Sequence, residues 1–182
     1  MLINLFDGPQ VNLMDMLAAR ERRQERQLEL LSKAPDKSLI SIGLNIPGPV
    51  KTSKGLEKIF KQVLVLLLQE LEKSGIDVIE SHILDEDTGN QAFLVVESPA
   101  LDLKKITVKV EQANPLGRLV DMDVLYLEKG QLELVSRSDL GMEPRQCYIC
   151  QDNAKNCARS RKHSIEEIRN HIETIAGQDL LL

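Results

Sequence analysis

The chain is 182 residues long, 42% hydrophobic and 28% charged, with a formal net charge of −5. That length suffices for one domain with a buried core. Aromatic residues make up only 3% and Trp is absent, so a base-stacking surface is not expected, and the acidic balance argues against salt-driven adhesion to DNA or RNA.

The chain opens on MLINLFDGPQ, with no basic segment leading into a long apolar one; no secretory signal is expected and the setting is read as cytoplasmic. Asn12–Lys33 reads as a helix, apolar at Leu13, Met14, Met16 and Leu17 and again at Leu28, Leu30 and Leu31. Its middle is strongly charged. Either Glu/Arg pairs solvate that face, or Arg20, Arg23 and Arg26, spaced by three, fan guanidiniums toward phosphates. Ser38–Ile46 predicts a strand, ended by Pro47-Gly48-Pro49. A long helix from about Lys54 to Lys73 follows, with Thr52 or Ser53 as its N-cap. Its C-terminal half is apolar nearly all round, so it is expected to be the main buried helix, stopped at Ser74-Gly75. The longest apolar run, Val63–Leu68, is far too short to span a membrane. Lys51, beside the Gly/Pro turn, could hold an anion, and an ordinary strand-to-helix turn accounts for it equally well.

Ile76–Leu84 and Gln91–Glu97 predict a hairpin over the acidic loop Asp85–Gly89, which lacks the spacing of a calcium site. Pro99–Leu103 reads as a short helix or turn, and Ile106–Glu111 alternates as a strand. Val120–Leu127 and Gln131–Arg137 predict a second hairpin over Glu128-Lys129-Gly130.

The segment Asn114-Pro-Leu-Gly-Arg-Leu-Val-Asp-Met-Asp-Val124 carries the sharpest chemistry. On a strand, Asp121 and Asp123 point to the same face, and two carboxylates that close favour a cation between them. Mg²⁺ suits the pair, because it takes carboxylate and phosphate oxygens together. Gly117-Arg118 just ahead suits an anionic substrate. The competing reading is a half-exposed strand whose acids face water. Glu111 on the preceding strand and Asp139 near the end of the following one are the candidate third carboxylates.

All three cysteines fall within 147–157, as Cys147-x2-Cys150-x6-Cys157-x5-His163. That is a four-ligand set for tetrahedral Zn²⁺ in a reducing compartment; alternatively the thiols fill a small core. Arg145, Arg159, Arg161 and Lys162 make the knuckle locally basic. Ser164-Ile-Glu-Glu167 is a capping box opening a final helix, Ile165–Ala176, ended by Gly177.

Pro47-Gly-Pro-Val-Lys51, the Asn114–Val124 segment, and Pro144-Arg-x-Cys147-x-x-Cys150 with Cys157-Ala-Arg159 and His163 together resemble the holo-citrate lyase synthase family. These are the phosphoribosyl-dephospho-coenzyme A transferases of citrate lyase. The resemblance takes in Arg20, Arg23 and Arg26 and covers nearly the whole chain, with Glu111 at the family's glutamate. It departs at Asn114, where the family carries a His, and so puts a histidine general base in doubt. The chain is also similar to the malonate decarboxylase holo-protein synthases.

The resemblance implies a nucleotidyltransferase reaction. The donor is 2′-(5″-triphosphoribosyl)-3′-dephospho-coenzyme A, the acceptor a serine of the apo acyl carrier protein (the γ subunit of citrate lyase), and pyrophosphate leaves. Asp121 and Asp123 would hold Mg²⁺, and Glu111 or Asp139 would complete the site or take the serine proton. Arg118, with Arg20, Arg23 and Arg145, would bind the triphosphate. Neither a nucleic acid nor a membrane is an expected partner. A non-catalytic delivery module and a zinc-knuckle adaptor are the rival classes.

The expected fold is α+β within one transferase domain, 1–182: a single mixed or mostly antiparallel sheet with a long buried helix. It is nucleotidyltransferase-like by analogy, with a Cys/His knuckle at 144–163 and a C-terminal helix at 164–177.

Overall fold

The computed structural model describes residues 4–147 and 149–179, so the expected unit 1–182 and the Tyr148 of the cysteine run extend outside the described residues. The architecture is α+β. One five-stranded sheet has the order β2-β3-β1-β4-β5, formed by β1 (Ser38–Leu44), β2 (Val78–Glu86), β3 (Gly89–Val96), β4 (Val120–Glu128) and β5 (Gln131–Val135). Every pairing is antiparallel, so the expected mixture resolves to one direction rule. Among the described residues there are five α-helices: α1 (Leu13–Lys33), α2 (Lys54–Lys73), α3 (Ala100–Ala113), α4 (Ala154–Ser160) and α5 (Ile165–Asp179). Among the described residues, no helix is long and apolar enough to cross a membrane.

Side-chain alternation divides the sheet into two faces. Ile40 and Ile42 of β1, Ala92, Leu94 and Val96 of β3, and Met122 and Val124 of β4 face the larger core, with Leu56, Ile59, Phe60, Val63 and Leu67 of α2, Leu103 of α3 and Ile172 of α5. Leu39, Phe93, Val95 and Leu125 face the other way, under Leu30 and Leu31 of α1. Each fully buried aliphatic side chain contributes about 1.5–3 kcal/mol. α1 therefore docks through its C-terminal turns, and its arginine-rich middle lies over the rest of that face.

Two predictions are corrected. Ile106–Glu111 is not a strand but the second half of α3. Ile106, Val108 and Val110 alternate, yet all of the buried set but Val110, namely Leu103, Lys104, Thr107, Val108 and Glu111, recurs at helical spacing, so packing of that stripe overrides the β-propensity of Ile-Thr-Val. The last helix does not stop at Ala176 but runs through Gly177 to Asp179, because Gly177 keeps a negative φ. The capping box forms as predicted: the Ser164 N–H donates to Glu167 at 2.7 Å, and the Glu167 N–H donates to Ser164 Oγ at 3.1 Å. α2 starts at its Ser53 N-cap, with Val65 and Leu68 left exposed on its outer side.

A carboxylate strand, a capped sheet edge and a thiol cluster

Asp121 and Asp123 stand on the α1 face of β4, opposite Gly43 and Ser41 of β1. The buried Gln27 of α1 donates to Ser41 Oγ at 2.9 Å, and one turn earlier Arg23 Nε donates to Gln91 Oε1 at 2.9 Å. Gly43 makes room for that guanidinium: a Cβ there would lie 2.8 Å from Arg23 Nη2. Burial holds the Arg23 pKa below its ordinary value, offset by the charges of Asp123 and Asp121, with Arg20 nearby opposing them. Asp123 is pushed the other way from an ordinary carboxylate, upward, first by burial and then by Asp121 and Glu111; Lys104 and Arg23 counter this in part. No hydrogen bond or ion pair reaches the Asp123 carboxylate among the described residues. Arg26 instead lies over the Phe93 ring, 6.0 Å from its centroid.

β5 pairs with β4 only from Val124 onward, so residues Val120–Asp123 form an open sheet edge whose peptide groups need partners. Side chains supply them. Glu111 Oε1 accepts the Met122 N–H at 3.2 Å, Lys104 Nζ donates to the Met122 carbonyl at 2.9 Å, and Arg145 Nη2 donates to the Val120 carbonyl at 3.0 Å. Arg145 also donates to the Arg118 carbonyl at 2.6 Å and pairs through Nη1 with Asp121. Glu111, only 4% exposed, accepts Arg137 Nη2 at 2.5 Å on its second oxygen. Arg118, Arg137 and Arg145 thus line one cavity of about 320 Å³ at this edge, beside Glu111 and Glu143.

The structure therefore brings Asp121, Asp123, Arg20, Arg23, Arg145 and Arg118 into one region. It does not bring all the expected residues there. Asp139 lies on a short 3₁₀ turn, accepts the Ser136 N–H at 2.8 Å, and lines a different cavity with Lys37, Ser98 and Leu101. That N–H holds its pKa below the usual carboxylate range. Glu111 sits on a helix beneath the sheet edge, and both its oxygens are engaged. Lys51 turns its ammonium to the Ile46 carbonyl at 2.6 Å, where burial and Arg169 lower its pKa. Gly117 opens no free backbone cradle: a Cβ would meet the Val110 and Glu111 carbonyl oxygens at 2.7 Å, so glycine lets the turn bearing Arg118 pack on the end of α3. Lys104 and Arg137 were not singled out in the sequence. The signal for Lys104 lay in the helical stripe it shares with Glu111, masked by the strand-like alternation.

The thiol cluster begins one residue past the cavity, whose lining ends at Gln146. The chain crosses from Arg145 and Gln146 into Cys147, turns through Cys150, and returns as α4, which carries Cys157; His163 follows α4. The ligand atoms of Cys147, Cys150, Cys157 and His163 all lie within 4.8 Å of one another, so this group could hold a metal ion. Cys150 Sγ is 3.4 Å from Cys157 Sγ and 3.2 Å from His163 Nε2. Ligands at about 2.3 Å around a tetrahedral ion stand about 3.8 Å apart, so little adjustment is needed. The Asp152 backbone N–H, then His163, lower the Cys150 thiol to about 6, whereas burial pushes Cys157 up to about 12. Gln146 O accepts Arg118 Nη2 at 2.8 Å, which ties the knuckle to the arginine turn.

The profile of the family described as apo-citrate lyase phosphoribosyl-dephospho-CoA transferase matches residues 11–179. A Streptococcus pyogenes protein named probable apo-citrate lyase phosphoribosyl-dephospho-CoA transferase is 42% identical over 170 residues, covering 93% of this chain and 88% of its own. Shigella boydii and Escherichia coli proteins with the same family name are each 34% identical over 165 residues, or 91% of this chain and 88% of theirs. With matches of that extent across the carboxylate strand and the cysteine cluster, the chain belongs to the apo-citrate lyase phosphoribosyl-dephospho-CoA transferase family.

Proposed function

We propose that this protein transfers the phosphoribosyl-dephospho-coenzyme A group of 2′-(5″-triphosphoribosyl)-3′-dephospho-coenzyme A to a serine of the apo acyl carrier protein, the γ subunit of citrate lyase, with release of pyrophosphate. The observation that carries the reading is the Asp121–Asp123 pair, on one strand face beneath Arg23 and beside Arg145, in a chain of this family. In the reaction the serine oxygen forms a bond to the α-phosphorus of the triphosphate. The bond to the bridging β-phosphate oxygen breaks, and pyrophosphate departs with the electron pair.

Phosphoryl-type transfer rests mainly on positioning and charge neutralisation. Asp121 and Asp123 suit Mg²⁺, because Asp123 is half-buried, unbonded and raised in pKa beside a second carboxylate. Bound there, Mg²⁺ would neutralise phosphate charge and acidify the serine hydroxyl. Arg23 and Arg20 lie over the same face and suit the α-phosphoryl oxygens. Glu111, with one oxygen on the Met122 N–H and the other on Arg137, is not free to receive the serine proton. In the wider fold analogy, the sheet with its Asp-x-Asp strand is read as nucleotidyltransferase-like. The Cys/His cluster is read as a structural Zn²⁺ site, which suits a cytoplasmic protein with reduced thiols.

The test is to mix donor, Mg²⁺ and apo carrier protein with this enzyme and follow pyrophosphate. Release that requires all components supports transfer. Tight donor binding with no release would reduce the protein to a delivery module.

A further inference from the structure

We infer that the cavity at the open edge of β4 is a diphosphate site, in which Arg118, Arg137 and Arg145 hold the terminal two phosphoryl groups of the donor and then the departing pyrophosphate. The inference rests on the proposed transfer and adds a location and a residue, Arg137, that neither the sequence nor the family resemblance singles out.

Three observations converge. First, guanidiniums from separate segments of the chain line one cavity of about 320 Å³. That is about ten times the share of one water molecule in the liquid, ~30 Å³, which is ample for two phosphoryl groups. Second, the positive charge there is not fully matched. Glu111 is committed to Arg137 and Asp121 to Arg145, but Arg118 forms no ion pair among the described residues and donates only to the Gln146 carbonyl. Arg118 Nε is buried without a hydrogen-bond partner. Burial, then Arg145 and Arg137, lower the Arg118 pKa, which reflects a cation crowded by cations. An anion bridging the guanidiniums would relieve that crowding. Third, Arg145 spans the two sites, with one nitrogen on Asp121 and the other on the Val120 and Arg118 carbonyls. A phosphate chain with its α-phosphorus at the carboxylates would therefore run past Arg145 into the cavity.

Glu143 is the remaining acid in the lining, and it is exposed. It therefore leaves the inner wall cationic. Arg137 is aimed by Glu111, itself fixed to the Met122 peptide, so the anion site and the strand bearing the carboxylates share one anchor.

The test is titration calorimetry with inorganic pyrophosphate and, separately, with orthophosphate, on the full chain in its metal-loaded form. Wild type is expected to bind pyrophosphate at least tenfold more tightly than orthophosphate. Arg118→Gln, which breaks no ion pair, and Arg137→Gln are each expected to weaken pyrophosphate binding about ten- to hundredfold. Lys105→Gln, on the exposed side of α3, controls for overall charge and should change nothing. A second arm compares the triphosphate donor with dephospho-coenzyme A lacking the triphosphate; the arginine variants should weaken only the former. Pyrophosphate binding that a folded Arg118→Gln protein retains at wild-type strength would overturn the inference even if transfer is intact. Loss of transfer with this pattern intact would instead sink the proposed reaction and leave the anion site standing.

Discussion

Glu111 offers a sharp division between a structural and a chemical role. Its carboxylate is 4% exposed and accepts both the Met122 N–H at 3.2 Å and Arg137 at 2.5 Å. Glu111→Gln keeps a carbonyl for Met122 but sets an amide N–H₂ against the guanidinium and leaves Arg137 without its counter-charge. Breaking a fully buried pair costs about 3–5 kcal/mol. The Arg137 side chain keeps 17% of its surface in water, so a cost just below that range, about 2–3 kcal/mol, applies. At about 2–4 °C per kcal/mol for a chain of this size, Tm should fall about 4–12 °C. Arg137→Met should cost a similar amount by stranding the carboxylate, and the double variant should cost less than the sum, with a coupling of about 1–3 kcal/mol. Thermal and urea denaturation at neutral pH measure all three. If Glu111→Gln left Tm unchanged while transfer fell about 10²–10⁴-fold, the range of general acid–base catalysis, Glu111 would be the proton acceptor and the clamp assignment would be wrong.

Other consequences follow from the same geometry. Burial raises the Asp123 pKa, so between its unfolded and folded values the native chain holds more protons; stability contributed at low pH is lost as pH rises through that window. Asp123→Asn should therefore raise Tm of the metal-free protein at neutral pH and flatten that part of its pH dependence, although transfer collapses. Gly117→Ala would place a Cβ 2.7 Å from the Val110 and Glu111 carbonyl oxygens; a shift in denaturation midpoint worth about 1–3 kcal/mol is expected, whereas an unchanged midpoint would show that the turn relaxes freely. Metal analysis of anaerobically purified protein should find zinc near one equivalent, and Cys157→Ser should lose it together with several degrees of Tm. Zinc-free protein of undiminished stability would leave the cluster as a thiol-lined core.

Much of this was legible in the residues. The hairpins, the Ser53 cap, the Ser164–Glu167 capping box and the Asp-x-Asp strand each carry a local signal that the fold keeps. The cysteine spacing likewise foretold a convergent cluster. What failed was decided at long range. Ile106–Glu111 alternates like a strand, yet the open edge of β4 needs a donor and an acceptor at Met122. Lys104 and Glu111 meet that need only from one helical face. Misreading that face hid Lys104 and the clamp that Glu111 forms with Met122 and Arg137. Asp139 was lost for a smaller reason: the chain turns after Val135, and its carboxylate caps Ser136. The Gly117-Arg118 turn marks Arg118 locally, but no local pattern marks Arg137 or shows that Arg118 lacks an ion pair, because both depend on which segments meet beyond the end of β5.

Asp121 and Asp123 are proposed to carry the transfer of the prosthetic group to the carrier protein. Intact-mass spectrometry of apo carrier protein, incubated with donor, Mg²⁺ and either wild type or Asp121→Asn, tests it directly. Wild type should add one phosphoribosyl-dephospho-coenzyme A to the carrier serine, and a folded Asp121→Asn protein should lose that transfer by orders of magnitude. Full modification by the folded Asp121→Asn protein would contradict the account.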